Sequence, residues 1–312
     1  MKSLKNMMNF YKKMTTVGKV LLFVALLLIL VVFFNSPDFN SRSNKEGYEQ
    51  NDTFLFKKGP EIYDGFYATI YDQLVFNNLK DDYEITQIVN RTTPTSASVI
   101  LDVGSGTGHH VAKMAEKGLN AVGIDNSQAM IQQAKENYPQ YDFQLGSALD
   151  INQYKNNSFT HILCLYFTIY YFDNKDTFFN NCMEWLMPGG YLILHLVDRE
   201  KFDPILPPGN PLYIVSPQKY AKNRITHTKI TFNNFVYTSN FNLEADKDVA
   251  TFEEKFKFND GKVRKQEHLL YMEDAQDILT KAADAGFIVQ GKIDLVSCAY
   301  PNQYLYILVK PS

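Results

Sequence analysis

Apolar and polar positions along the chain fall into four regimes. Val20 to Phe34 is an unbroken apolar run. Asn35 to Lys58 is polar and mixed in charge, and holds too few apolar residues to bury a core. From Ser98 onward, short apolar runs alternate with stretches of helical period. Strands are expected at Ser98–Val103, Ala121–Asp125, Tyr141–Gly146, Phe159–Leu165 and Tyr191–Val197. Helices are expected after Gly108 to about Lys117, from a Ser127 cap to about Asn137, and over Lys175–Leu186. Such alternation predicts a parallel sheet covered by helices on both faces.

Asp198 to Tyr271 changes period. Phe235, Tyr237, Phe241 and Leu243 share one parity, as do Phe252, Phe256 and Phe258, and Asn259-Asp260-Gly261 is a hairpin turn. An antiparallel sheet inserted over 198–271 is expected, with one face packed and one solvated or ligand-facing. A helix over Met272–Ala285 and strands at Phe287–Val296 and Tyr304–Val309 close the chain. The organisation expected is therefore a basic segment and anchor over 1–34, a polar linker over 35–59, and one domain over 60–312.

The N-terminal run carries Lys2, Lys5, Lys12, Lys13 and Lys19 before it and no acid. With Val17, Gly18 and a snorkelling Lys19 it approaches the length of a membrane helix. An uncleaved single-pass anchor through residues 17–34 is the favoured reading. A cleaved secretory signal is the rival, although no small-x-small site follows the run. The flanking lysines predict a cytoplasmic N-terminus. Asn51, Asn90 and Asn156 open N-x-S/T sites that permit glycosylation beyond the membrane.

Composition removes some classes. A formal net charge of -3 gives no basic footprint, so no nucleic-acid partner is expected. Cys164, Cys182 and Cys298 lie far apart and share no ligand spacing, so no metal is expected.

The candidate chemistry starts at Leu101-Asp-Val-Gly-Ser-Gly-Thr-Gly108, where an apolar strand meets glycines at every second position and a helix start. Gly104 and Gly106 let a ligand approach the main chain. Asp125 ends the next strand, where an acid can bind ribose hydroxyls. Together with Val122-Gly-Ile-Asp125, Gly146-Ser-Ala-Leu-Asp150 and Leu186-Met-Pro-Gly-Gly-Tyr191, this stretch resembles class I S-adenosylmethionine-dependent methyltransferases. The resemblance covers about Pro60 to Lys310, apart from the insert. It implies a Rossmann-like, doubly wound, mostly parallel seven-stranded α/β sheet carrying the inserted sheet, preceded by the N-terminal hydrophobic helix.

The resemblance also implies a site for S-adenosylmethionine. Asp102, Gly104, Ser105 and Gly106 would hold its methionine part, and Asp125 its ribose. Asn126 and Met130 would flank the adenine, with Ser147 and Ala148 at its edge; family members often carry an acid where Ser147 stands. Leu165 would lie near the methyl donor. Tyr63, Tyr67 and Tyr71, at fourfold spacing, would share a helix face. That face either packs in the core or covers the ligand.

Methyl transfer needs donor and acceptor aligned and water excluded. A protonated acceptor also needs a base. His195 and Tyr170 are the preferred catalytic candidates, with Tyr171, His227 and His268 behind them. Lys255, Lys257, Arg264 and Lys265 beside Glu253 and Glu254 read as a solvated strand face. Small-molecule methyltransferases, including those of amino sugars, resemble this layout. A small-molecule, sugar or lipid acceptor is expected, with a homodimer through the inserted sheet as an option. A protein methyltransferase and a non-catalytic S-adenosylmethionine-binding module are the alternatives.

Overall fold

The computed structural model describes residues 53–206 and 216–312, together with Thr15, Thr16, Gly18, Lys19 and Phe23. The chain divides into two compact units, Met1–Tyr48 and Glu49–Ser312. In the first, Thr16, Gly18, Lys19 and Phe23 are helical, and the remainder of the anchor expected over 17–34 lies outside the described residues. Among the described residues no helix is long and apolar enough to cross a membrane. This corrects the single-pass membrane placement. Residues 17–34 would span about 27 Å as a helix at 1.5 Å per residue, a little short of a hydrocarbon core of about 30 Å.

The second unit opens with strand β1 (Phe54–Lys58), then helices α1 (Gly65–Val75) and α2 (Asn78–Thr92). Alternation follows as β2 (Val99–Val103), α3 (His109–Glu116), β3 (Asn120–Asp125), α4 (Gln128–Asn137) and β4 (Asp142–Leu145). It continues as β5 (Phe159–Cys164), α5 (Lys175–Trp185) and β6 (Leu186–Val197). Strands β7 (His227–Thr231), β8 (Phe235–Glu244), β9 (Val249–Phe258) and β10 (Val263–Tyr271) form the insert. Helix α6 (Ala275–Asp284), β11 (Ile288–Asp294) and β12 (Gln303–Val309) complete the unit.

Seven strands form the larger sheet, in the order β11-β12-β6-β5-β2-β3-β4. Pairs from β6 to β4 are parallel, whereas β12 runs antiparallel to both its neighbours. Strand order reverses between β2 and β5, which puts a ligand crevice beyond their carboxyl ends. Polar caps set the helix starts. Ser127 accepts from the Met130 amide at 3.1 Å, and Asn77 accepts from the Leu79 and Lys80 amides.

The sheet buries both faces. Phe178, Phe179 and Trp185 of α5 pack with Leu194, Leu196 and Phe287 on one side. Ile85 and Ile88 of α2 pack with Met114, Ile100 and Leu163 on the other. Each such side chain stabilises the fold by about 1.5–3 kcal/mol when fully removed from water.

The second sheet has the order β1-β10-β9-β8-β7. Its insert strands pair antiparallel, but β1 joins β10 in parallel, Phe54 opposite Val263. The inserted sheet is therefore mixed rather than purely antiparallel, and part of the stretch read as polar linker is a strand. Its inward face packs on α1 through Tyr67, Leu74, Tyr237 and Phe256.

Candidate active site

At the end of β2 the chain turns through Gly104, Ser105 and Gly106. The Gly104 and Ser105 amides both donate to the Ile124 carbonyl, at 2.8 and 3.0 Å. Gly104 has φ +67°, and a Cβ there would meet the Thr168 side chain at 2.6 Å. Gly106, at φ +53°, faces the Tyr71 ring, with Cε1 3.8 Å from where a Cβ would stand. Both positions favour glycine for their positive φ, and Gly104 for space as well. Asp125 sits across the turn. Its Oδ2 accepts from the Gly106 amide at 3.0 Å and its Oδ1 from the Ser127 amide at 2.9 Å.

A cavity of about 540 Å³ opens here. Tyr63, Tyr71, Asp102, Gly104, Ser105, Gly106, Asp125, Asn126, Met130, Ser147, Ala148 and Leu165, the positions expected around the cofactor, all line it. Tyr63 does so from just outside α1. Asp64 caps that helix by accepting from the Tyr67 amide, so the three tyrosines do not share one helix face as expected. Tyr63 and Tyr67 meet edge to face at 5.6 Å, and Tyr67 and Tyr71 at 5.7 Å.

The residues present fit a charged, hydroxyl-bearing ligand. Asp102 and Ser105 are buried at the cavity wall, and Asp102 Oδ2 and Ser105 Oγ have no hydrogen-bond partner, with His110 Nδ1 3.9 Å from Asp102 Oδ2. Burial pushes Asp102 up to about 6; His110 pulls it down, and Asp125, Asp81 and Glu84 add to the rise. Asp125 is likewise raised by burial, against the amides of Ser127, Gly106 and Asn126. Apolar Met130 and Ala148 line the wall beyond Asp125.

His195 and Tyr170 are not at this wall. His195 is fully buried in β6, its Nδ1 bound to the Tyr166 carbonyl and its Nε2 3.1 Å from Gln303 Oε1. Burial first, then Lys80, lowers its pKa to about 4. The Tyr170 hydroxyl accepts from the Val197 amide at 2.9 Å, deep in the core. Both candidates hold backbone in place, because β6 is covered on both faces. His227 lies exposed on β7.

His268 lines the cavity on the side of the inserted sheet, as His109 and His110 do beside the glycine turn. Its Nε2 is 2.7 Å from Glu254 Oε2 and its Nδ1 2.9 Å from the Tyr171 hydroxyl. Glu254 and Arg264 are each 1% exposed, not part of a solvated strand face. Alternation with Phe252 and Phe256 places Glu254 inward and could have flagged it. Lys80 was also missed. It is buried at the cavity, 2.8 Å from Glu84 and over the Tyr166 ring at 5.1 Å. Burial lowers its pKa, but Glu84 and Asp81 outweigh that and hold it above the ordinary lysine value.

A model of a methyltransferase domain matches residues 100–190, which span β2 to the start of β6. The turn, Asp125 and the seven-stranded order define a class I S-adenosylmethionine-dependent methyltransferase. The domain match and the fold together support that class for this chain, with S-adenosylmethionine as its cofactor. Among curated proteins it is 27% identical over 146 residues to a dTDP-4-amino-2,3,4,6-tetradeoxy-D-glucose N,N-dimethyltransferase of Saccharopolyspora spinosa, a match covering 45% of this chain and 57% of that relative. The fold is that of a S-adenosylmethionine-dependent methyltransferase from Clostridium acetobutylicum (TM-score 0.61, 18% identity, 79% of this chain and 98% of that one). It is also that of the sugar N-methyltransferase KedS8 from Streptoalloteichus sp (TM-score 0.57, 21% identity, 86% and 98%).

Proposed function

We propose that the protein methylates the amine of a small, sugar-like acceptor. One observation carries this reading: a single cavity extends from the glycine turn to the inserted sheet, and its far end is ringed by aromatic side chains. His268 has the rings of Tyr63, Tyr67, Tyr171 and Phe252 around it, with centroids at 5.9, 6.0, 6.0 and 5.7 Å. A ring-lined pocket attracts a cationic amine. A volume of about 540 Å³ suits a cofactor and small acceptor better than a protein chain. The relatives with amino-sugar activity support the same acceptor class.

S-adenosylmethionine supplies an electrophilic methyl on a sulfonium. Asp102 and Ser105 present the unpaired oxygens that would take its ammonium and carboxylate side. Asp125 would accept from its ribose hydroxyls, and Met130 and Ala148 would enclose its adenine. The tyrosines of the 63–71 segment exclude water and hold the acceptor in line.

Calorimetry of the full-length protein with S-adenosylmethionine tests the cofactor assignment: saturable binding is expected, lost in Asp125→Ala. Methyl transfer from labelled S-adenosylmethionine to dTDP-4-amino-2,3,4,6-tetradeoxy-D-glucose, set beside its 4-hydroxy counterpart, tests the acceptor class. Labelling of the hydroxyl sugar alone would overturn it. A homodimer through the outer face of the inserted sheet belongs to the same reading, since Phe54, Phe56 and Leu269 are exposed there. Sedimentation velocity of Phe56→Glu beside the unaltered protein checks it.

A further inference from the structure

We propose that Tyr171, His268 and Glu254 form a proton relay that draws the proton from the acceptor's ammonium. This rests on the amine reading above. The inserted sheet is thereby part of the reaction machinery and not only a cover.

The relay follows from register. Arg264, Gln266, His268 and Leu270 alternate on the inward side of β10, and Gln266 pairs with Glu254 of β9. Glu254 and His268 are 1% and 2% exposed. A buried carboxylate–imidazole pair adds little net stability, because desolvation offsets the attraction. Its position at the end of a ligand cavity gives it a use. Three donors hold Glu254: His268, the Tyr237 hydroxyl at 2.6 Å and Gln266 Nε2 at 2.5 Å. Burial raises Glu254, but these donors outweigh it and keep the carboxylate below its ordinary pKa.

Glu254 also fixes the tautomer. An ionised carboxylate only accepts, so the imidazole carries its proton on Nε2. In the neutral ring Nδ1 is then an acceptor, 2.9 Å from the Tyr171 hydroxyl that would donate to it. The Tyr63 ring stands edge to face with that of Tyr171, centroids 6.0 Å apart. A phenol oxygen donates once and accepts twice. With its one donation made to His268, the oxygen keeps lone-pair capacity to accept, on a side chain that lines the cavity. An ammonium N–H fits that vacancy. Tyr171 alone is no base, since burial and Glu254 push its phenol well above the ordinary value.

The step balances as follows. One N–H bond of the ammonium breaks, and its electron pair stays on nitrogen. The proton passes to the Tyr171 oxygen while the tyrosine's own proton moves to His268 Nδ1. The resulting imidazolium is held by Glu254. The freed lone pair is the nucleophile for methyl transfer. After product leaves, the proton returns through Tyr171 to water in the open cavity. The groups facing His268 are Glu254 from β9, Tyr171 from the turn after β5, and Tyr63 and Tyr67 beside α1; Tyr237 of β8 faces Glu254.

The test uses the full-length protein, S-adenosylmethionine and dTDP-4-amino-2,3,4,6-tetradeoxy-D-glucose. In Tyr171→Phe and Glu254→Gln, kcat at pH 7 is expected to fall about 10²–10⁴-fold, the usual contribution of general base catalysis. Cofactor affinity should stay within about threefold, KM in Glu254→Gln likewise, and the loss in kcat should shrink as pH rises through the amine's own pKa. Glu254→Asp should recover part of kcat. Nitrogen-15 spectra of the histidines should show His268 as the neutral Nε2–H tautomer, with its Nδ1 shift moved in Tyr171→Phe. Tyr171→Phe alters a side chain at the cavity and keeps the test valid if Glu254→Gln does not fold. Unchanged kcat and pH profile in Tyr171→Phe would overturn the relay and leave the amine reading standing. Cofactor binding with no methylation of the amine by the unaltered protein would overturn both.

Discussion

Asp102 shows how one residue trades stability against binding. Its folded pKa of about 6 lies above the unfolded value of about 4, so the fold favours the protonated form. That contribution is complete below about pH 4 and is lost as pH rises through about 6. At pH 7.5 the apo protein therefore carries an unfavourable buried charge. Asp102→Asn is expected to raise stability by ~1–2 kcal/mol in denaturant melts and to weaken S-adenosylmethionine binding at least about tenfold, one charge-assisted hydrogen bond. In the unaltered protein, affinity should fall as pH drops below about 6, where the carboxylate needed for an ammonium is lost. Gly104→Val acts differently. It places a β-branched residue at φ +67° against Thr168 and should cost about 2–3 kcal/mol along with cofactor binding. These positions were legible because a glycine turn and a strand-ending acid are local features. His195 was not, since nothing in Leu-His-Leu tells which side chains of other strands will meet the ring. It holds the carbonyl of Tyr166, a non-glycine residue at φ +51°. The imidazole is kept neutral to about pH 4, so its contribution is present above the unfolded pKa of about 6.5 and fades as pH falls toward 4. Thermal melts at pH 7.5 and 5 should show His195→Gln less destabilised by acid than the unaltered protein, by about 1–2 kcal/mol.

At the scale of elements, the inserted sheet is held by one cation. Arg264 donates to both oxygens of Asp64 at 2.9 and 2.8 Å, to the Ile62 carbonyl at 2.9 Å and to Gln266 at 2.8 Å. Asp64 is also the cap of α1, so this guanidinium joins β10 to the tyrosine segment. Arg264→Ala takes the guanidinium away from the Asp64 carboxylate, the Ile62 carbonyl and Gln266 Oε1 and should cost about 3–5 kcal/mol. Arg264→Lys should recover little, since an ammonium cannot make the fork. Circular-dichroism melts check both. The strands of the insert were readable from period-two aromatics, whereas the burial of Glu254 and Arg264 was not. Charge argues for solvent until a partner is known, and each partner lies on another strand or helix. β1 escaped notice for a related reason: Phe-Leu-Phe-Lys-Lys is five residues long and pairs with a strand more than two hundred positions away.

Across the molecule, strand–helix alternation carried most of the fold. Parallel strands are buried on both faces and announce themselves as continuous apolar runs. The acceptor side was less legible, because it is assembled from the tyrosine segment, the turn after β5 and the insert, none of which is continuous in sequence. At the N-terminus an apolar run preceded by lysines matched a membrane pattern, whereas among the described residues no helix is long and apolar enough to cross a membrane.

The parallel pairing of β1 with β10 has a consequence for how the protein is made. Phe54 meets Val263 only when both have left the ribosome, and closing so long a loop is entropically slow. A nascent chain that has emerged to about β6 already holds the glycine turn and Asp125. The wall that separates acceptor from water is complete only at Tyr271, 74 residues beyond Val197. Cofactor contacts therefore precede acceptor contacts in time, and a chain stalled before β10 would present a donor pocket open to solvent.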